Sequence, residues 1–308
     1  MDELEVLQPP RGFAVAWSRP ANVRVVQTTR FGGVSHAPYG SLNLAGHVGD
    51  APHHVTLNRA RVARFLDLPS APFYLTQVHG NRVVRLEVLA EGEAVEADGA
   101  VTATPDHVAA ILTADCLPIL LTTVQGDRVG ALHGGWRGLC AGVVEAGLEA
   151  LDTAPEEVLA WIGPGIGSSA YRVDRTVIDA ARARHPWAER FATPIQKRSQ
   201  AEVPIGAMFE PVATADATAG RTTSAFADAM TSSPDTLDPP KDASVDPPRE
   251  QFQFDLAGYA ASILHEAGVE SVTLSGACTA GTPGFFSHRR EGTTGRMATL
   301  IWLAQPCE

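Results

Sequence analysis

Three apolar, β-favouring runs follow one another between His107 and Gly138, in HVAAILTADCLPILLTTVQGDRVGALHGGWRG. Residues 108–113 and 119–124 flank Thr113-Ala114-Asp115-Cys116, and residues 129–132 deliver His133 into Gly134-Gly135-Trp136-Arg137-Gly138. Apolar runs of this length, bounded by turn residues, read as buried strands. Cys116 and His133 stand at strand ends, beside glycines that admit a ligand to the backbone, so a site is expected here as well as a core.

At 308 residues the chain can bury a substantial core as one domain or two. Its formal net charge of −11 argues against a nucleic-acid backbone or an anionic membrane as main partner, and leaves room for a local basic pocket. Cys116, Cys140, Cys278 and Cys307 are scattered with no C-x-x-C pair, which disfavours a disulfide framework. The opening MDELEVLQPPRG is acidic without an apolar signal core, and no apolar run is long enough to span a bilayer. A cytoplasmic setting is expected.

Outside the central stretch, strands are expected at 13–17, 23–28, 73–76, 81–86, 158–162, 269–274 and 298–303. The long polar, glycine-rich loop after the second of these carries TTRFGGVS and SLNLAGHVGD. Pro52 opens a helix with Val55, Arg59, Val62, Ala63 and Leu66 on one face. Apolar residues at 139, 143, 144, 148 and 151 predict one amphipathic helix over 139–151. Asp174 caps a helix over 175–184, and Asp255 caps another, with Phe254 and Tyr259 as its hydrophobic staple and Gly268 at its end. Gly163-Pro164-Gly165-Ile166-Gly167 fails the dinucleotide fingerprint, because Ser168 replaces the third glycine. It reads as a tight, closely packed turn. Residues 211–250 are rich in Ala, Thr, Ser, Asp and Pro, with Phe226 the only aromatic, so they are expected to be a disordered insertion. The whole predicts an α/β fold, a single domain with a mixed β-sheet flanked by helices.

His79, in the turn Gln77-Val78-His79-Gly80, joins Cys116 and His133 at comparable positions. Two imidazoles and a thiolate suit zinc, with a fourth position left for water or substrate. The gaps between them match no compact finger pattern, and by spacing alone a buried thiol with two unrelated histidines explains the residues as well. A second reading makes Cys116 a nucleophile activated by His133, with Asp115 or another carboxylate orienting the imidazole. Arg30, Arg137, Arg289 and Arg296 are suited to anion binding, and Arg137 lies near a helix start. The remaining histidines, at 36, 47, 53, 54, 107, 185, 265 and 288, form no His-x-His pattern.

QVHG (77–80), ADGAVT (97–102), TADCLPILL (113–121), HGGWRG (133–138), IGPGIG (162–167) and CT…FFSHRR…TGR (278–296) resemble the YfiH, or laccase-domain, family. The resemblance covers nearly the whole chain apart from the N-terminal tail and 211–250. It implies a single α/β domain with a mixed sheet and a metal site, zinc or alternatively copper, on His79, Cys116 and His133. It also implies phosphorolysis of adenosine, inosine and methylthioadenosine, and deamination of adenosine. Arg30, Asn43, Arg59 and Asp115 are then further candidate substrate contacts beside Arg137, Arg289 and Arg296, and the partners are purine nucleosides and phosphate. Two alternatives attach to the family: a peptidoglycan-precursor editing hydrolase using Cys116, and a copper-dependent polyphenol oxidase. The oxidase reading fits these residues poorly, since electron relay to further coppers needs more clustered histidines.

Overall fold

A computed structural model describes residues 12–90, 92, 94–195 and 250–305. All of them belong to one of the two units into which the chain divides, Met1–Ile195 with Glu250–Glu308. The stretch 211–249 expected to be disordered lies outside the described residues.

The chain runs through β1 (Gly12–Ala14), β2 (Val23–Thr28), α1 (Pro52–Phe65), β3 (Phe73–Tyr74), β4 (Val83–Arg85) and β5 (Gly99–Thr102). The central stretch forms β6 (Ala109–Thr113), β7 (Leu117–Thr123) and β8 (Val129–Gly134), followed by α2 (Trp136–Ala141), α3 (Val143–Leu151) and β9 (Val158–Ile162). Then come β10 (Arg172–Asp174), α4 (Arg175–Arg184), β11 (Ala192–Pro194), β12 (Gln251–Phe254), α5 (Leu256–Glu266), β13 (Ser271–Leu274), α6 (His288–Glu291) and β14 (Met297–Leu303). The fold is α/β with mixed sheets. A five-stranded sheet has the order β1-β2-β14-β6-β3, a six-stranded one β13-β9-β7-β8-β5-β4, and a small one β10-β12-β11. The pairs β3·β6, β4·β5 and β9·β13 are parallel and the others antiparallel.

The pleat explains why apolar residues stand at consecutive positions in the central runs and do not alternate with polar ones. In β6, Ala109 and Ile111 face a core between the two large sheets, whereas Ala110 and Leu112 face a second core with Leu42, Leu44 and Val62 of α1. In β7, Leu120 joins the inter-sheet core while Ile119 and Leu121 pack against α3, α4 and α5 through Val144, Ile178 and Leu264. β14 divides likewise, Ile301 inward and Leu300 outward. Strands covered on both faces read as continuous hydrophobic runs. The packing order is therefore helix, sheet, sheet, helices, two layers of sheet where the sequence reading had one.

Both predicted caps form. The Asp174 carboxylate accepts the Thr176 N–H at 3.0 Å and the Asp255 carboxylate that of Gly258 at 3.0 Å, and the Phe254 and Tyr259 rings meet at 5.5 Å. The single helix expected over 139–151 is instead two, because Gly142 takes φ 94°, a left-handed conformation that ends α2 and starts α3 at a new angle. In α1 the buried face is Val55, Asn58, Arg61 and Val62: Val55 and Val62 are buried as expected, while Arg59, Ala63 and Leu66 are only half-buried and Asn58 and Arg61 take the inner positions. Asn58 is drawn inward because its amide accepts the Val34 N–H at 2.8 Å and donates to the Asn43 carbonyl at 2.9 Å, pinning the glycine-rich loop. At the 163–167 turn, a side chain on Gly163 would lie 2.6 Å from the Trp161 ring and 2.7 Å from Pro118, the close packing expected there.

β11 and β12 are antiparallel neighbours, and the Ile195 N–H donates to the Gln251 carbonyl at 2.9 Å. The chain thus leaves the described fold at Ile195 and re-enters it at Glu250 on adjacent strands. Deleting 212–249, with 196–211 kept as the connector, is expected to shift the melting temperature by less than about 3 °C and to leave metal content unchanged. Calorimetry and elemental analysis of the deleted chain check this, and insoluble protein would refute it.

Candidate metal centre

The three turn residues expected to converge do so. The ligating atoms of His79, Cys116 and His133 all lie within 4.8 Å of one another. His79 Nε2 is 3.9 Å from Cys116 Sγ, and the two imidazoles meet edge to face with centroids 4.7 Å apart. His133 is buried at the end of β8, Cys116 is half-buried at the start of β7, and His79 is exposed.

One buried carboxylate organises them. Asp98, fully inaccessible, accepts the backbone N–H groups of Val78, His79 and Gly80 at 3.2, 2.9 and 2.7 Å. The same carboxylate bonds His133 Nδ1 at 2.8 Å. Holding Nδ1–H turns Nε2 of His133 towards Cys116, the orientation found around metal-ligating histidines. Burial opposes the charge on Asp98, but the His133 and backbone hydrogen bonds outweigh it and keep its pKa below the ordinary carboxyl value. Burial likewise raises the Cys116 thiol, yet the positive His133 ring and the hydrogen bonds from His133 and His79 bring it down to about 6. This favours the thiolate that a metal requires. The sequence reading passed over Asp98. Its position one residue before the glycine of a short strand, in Ala97-Asp98-Gly99, was the only available sign.

The space between the ligands is kept by Gly135. A Cβ there would lie 2.9 Å from His79 Cδ2, 3.2 Å from Cys116 Sγ and 3.8 Å from His133 Cε1. Two imidazoles and a thiolate around a cradle that one methyl group would fill fit a tetrahedral metal ion with an open fourth position. Among the described residues this is the group of three such ligands that lies close enough to hold one.

The other candidate residues separate into two groups. Asn43 is fully buried, and its amide is used up by Ala45, Asp50 and the Arg296 N–H, so it shapes the site without facing a substrate. The Asp115 carboxylate accepts the Thr279 hydroxyl at 2.6 Å and the Arg289 N–H at 2.7 Å, tying the Cys116 turn to the 279–289 loop. Arg30 pairs with Glu291 at 2.5 Å and bonds the Gly40 carbonyl, which commits it to loop packing. Arg289 gives Nη1 to the carbonyls of Ala170 and Arg172. It lines with Arg137 and Tyr171 an open cleft of about 370 Å³.

Arg59 and Arg296 are placed differently. Arg59 stacks on Tyr74 at 3.9 Å, anchors itself through Nε on the Leu44 carbonyl at 3.0 Å, and lines a cavity of about 560 Å³ together with His47, Thr76 and Leu112. Thr76 and Leu112 lie on the segments leading to His79 and Cys116. Burial lowers the pKa of Arg296 against the opposing pull of the Cys116 and Asp115 charges, and its main chain is bonded to the loop that anchors Arg59, its N–H to the Asn43 amide oxygen and its carbonyl to the Leu44 N–H.

The family model described as multi-copper polyphenol oxidoreductase laccase matches residues 24–214 and 218–304. The chain belongs to this laccase-domain, or YfiH, family. The matched range runs through most of 211–250, which the motif resemblance had left out. Purine nucleoside phosphorylase YfiH of Escherichia coli is 36% identical over 291 residues, spanning 93% of this chain and 96% of that protein. A purine nucleoside phosphorylase of Haemophilus influenzae is 34% identical over 288 residues, spanning 93% and 97%. Among solved structures of the YfiH type, a Neisseria meningitidis protein superposes with a TM-score of 0.75 at 34% identity, over 97% of this chain and 100% of that one.

Gly135→Ala tests the cradle, because its backbone at φ −75° and ψ 153° accepts alanine without strain. The fold is expected to persist by circular dichroism while metal affinity falls at least about tenfold. Asp98→Asn, which leaves His133 without its carboxylate, should weaken the metal by about 10–100-fold. Elemental analysis after dialysis against a competing chelator reads both. Full retention in either variant contradicts the assignment.

Proposed function

We propose that this protein is a zinc-dependent purine nucleoside phosphorylase that cleaves adenosine, inosine and methylthioadenosine with phosphate and also deaminates adenosine. The observation that carries the reading is the open His79–Cys116–His133 cradle, with Arg59 lining a cavity walled in part by Thr76 and Leu112, on the segments that lead to His79 and Cys116. The names of the Escherichia coli and Haemophilus influenzae relatives support the same reaction class.

In this proposal His79 Nε2, Cys116 Sγ and His133 Nε2 hold the ion, and Asp98 fixes the tautomer and direction of His133. Bound zinc supplies Lewis acidity that polarises an oxygen ligand. The donor set of two nitrogens and one sulfur also admits copper, and the choice of zinc rests on the three-ligand open geometry. Arg59 and Arg296 orient phosphate against the ribose anomeric carbon, where the new C–O bond forms as the C–N bond to the purine breaks. The apolar wall of the cavity, including Phe73, Leu75 and Leu112, excludes water from the flat base. No described helix is long and apolar enough to cross a membrane, and the substrates of the proposed reaction are small molecules, a purine nucleoside and phosphate.

Inosine is the deciding substrate. Zinc-loaded protein is expected to release hypoxanthine and ribose 1-phosphate only when phosphate is supplied, because phosphate is the nucleophile. A hydrolase using Cys116 would yield free ribose whether or not phosphate is present. Adenosine should give inosine without phosphate. Cys116→Ala should abolish both reactions along with metal binding. Inertness of the folded, zinc-loaded chain towards all of these nucleosides would refute the proposal.

A further inference from the structure

His47 has no role in the reading so far, and its setting is unusual. It lies in the loop between Leu44 and Gly49, which is held at several points. The Leu44 N–H bonds the Arg296 carbonyl at 3.2 Å, the Leu44 carbonyl accepts Arg59 Nε at 3.0 Å, and the Val48 carbonyl accepts the Tyr39 hydroxyl at 2.9 Å. The Asn43 amide bonds both the N–H and the carbonyl of Ala45. On this fixed loop the His47 side chain is exposed, lines the 560 Å³ cavity beside Arg59, and makes no hydrogen bond to any described residue. Arg59 keeps its terminal nitrogens, and Arg296 its Nε and Nη2, without a protein partner among the described residues. A fixed loop that displays an unpartnered imidazole beside the Arg59 guanidinium, and that is bonded to the main chain of Arg296, is organised for a ligand carrying both negative charge and a hydroxyl.

We propose that His47, Arg59 and Arg296 form the oxyanion subsite, and that His47 selects a protonated oxyanion by accepting a hydrogen bond from its hydroxyl. This rests on the phosphorylase reading and goes beyond it, because it names how the nucleophile is told apart from other anions. Partial burial, followed by the positive charges of Arg296 and Arg59 and of the two ligand histidines, holds the His47 pKa below the ordinary histidine value. This favours the neutral ring, whose unprotonated nitrogen offers one lone pair. Hydrogen phosphate and hydrogen arsenate have an O–H to donate to it. Sulfate has only acceptors, so its oxygen would face the imidazole lone pair with no proton between them, a contact that gains no hydrogen bond and is repulsive. The arginines attract all three anions alike, and the discrimination comes from His47.

The test is steady-state cleavage of inosine with phosphate, with arsenate, and with phosphate in the presence of sulfate as inhibitor. His47→Ala is expected to raise the KM for phosphate and for arsenate about tenfold, the worth of one hydrogen bond to a charged group. The inhibition constant of sulfate should change by less than about threefold and the KM for inosine by less than about twofold. His47→Gln, whose amide oxygen can accept the same hydrogen bond, should recover part of the preference for phosphate over sulfate. Equal weakening of phosphate and sulfate in His47→Ala would overturn the proposal, as would an unchanged KM for phosphate. Calorimetric titration of the full chain with inorganic phosphate and with sulfate reads the subsite without turnover. A chain that prefers phosphate through His47 but does not cleave inosine would refute the phosphorylase reading alone. Cleavage that survives with its anion preference intact in His47→Ala would refute the subsite alone.

Discussion

The Asp98 carboxylate is the interaction on which the centre depends. It is inaccessible to solvent, it accepts three consecutive backbone N–H groups, and it holds the Nδ1 of His133. Its own main chain takes part as well, since the His133 N–H donates to the Asp98 carbonyl at 2.7 Å across the β5·β8 edge. A buried carboxylate is unfavourable unless its lone pairs are satisfied. Here that requirement ties the 78–80 turn to the end of β8, two segments more than 50 residues apart in the chain. His79 and His133 therefore share one anchor, and neither imidazole can shift without unsettling the other.

The layers and the site were legible to different degrees, and for physical reasons. Buried strands announce themselves by composition, and caps such as Asp174 and Asp255 work over three residues, so both kinds of feature could be read locally. Periodicity could not tell one sheet covered by helices from two sheets packed together, because a strand with two buried faces looks the same in either case. Gly142 was hidden in an otherwise regular amphipathic pattern, since a left-handed glycine removes no apolar residue from it. The three candidate metal ligands, His79, Cys116 and His133, emerged through their motifs. Asp98 and His47 did not, because one acts through turn N–H groups contributed by a distant segment and the other through its neighbours in space.

The same distinction sorts the arginines. A guanidinium in a sequence is an anion-binding group only if folding leaves its donors unspent. Arg30 spends its donors on Glu291 and the Gly40 carbonyl, and Arg289 spends Nη1 on two carbonyls of the 170–172 segment. Arg59 and Arg296 each use part of the fork to fix themselves and keep the rest. In a chain of net charge −11, a cavity lined by Arg59 is a local reversal of sign, and low-dielectric walls focus its field.

Backbone strain marks the same centre. His79 has φ 62° and Asp115 φ 111°, both in the region where side chains other than glycine are disfavoured, at a cost of about 1–3 kcal/mol each. Each is held there by charge-assisted hydrogen bonds: His79 through its N–H to Asp98, and Asp115 through its carboxylate to Thr279 and the Arg289 N–H. Such bonds are among the stronger ones available to a protein, which is why the conformations persist. They also set direction. Asp115 immediately precedes Cys116, so the unusual turn at 115 determines how the thiol leaves the start of β7. The turn at 79 determines in the same way how that imidazole meets it. The metal cradle is thus a consequence of two strained turns secured by carboxylates, with Gly135 keeping the space between them open.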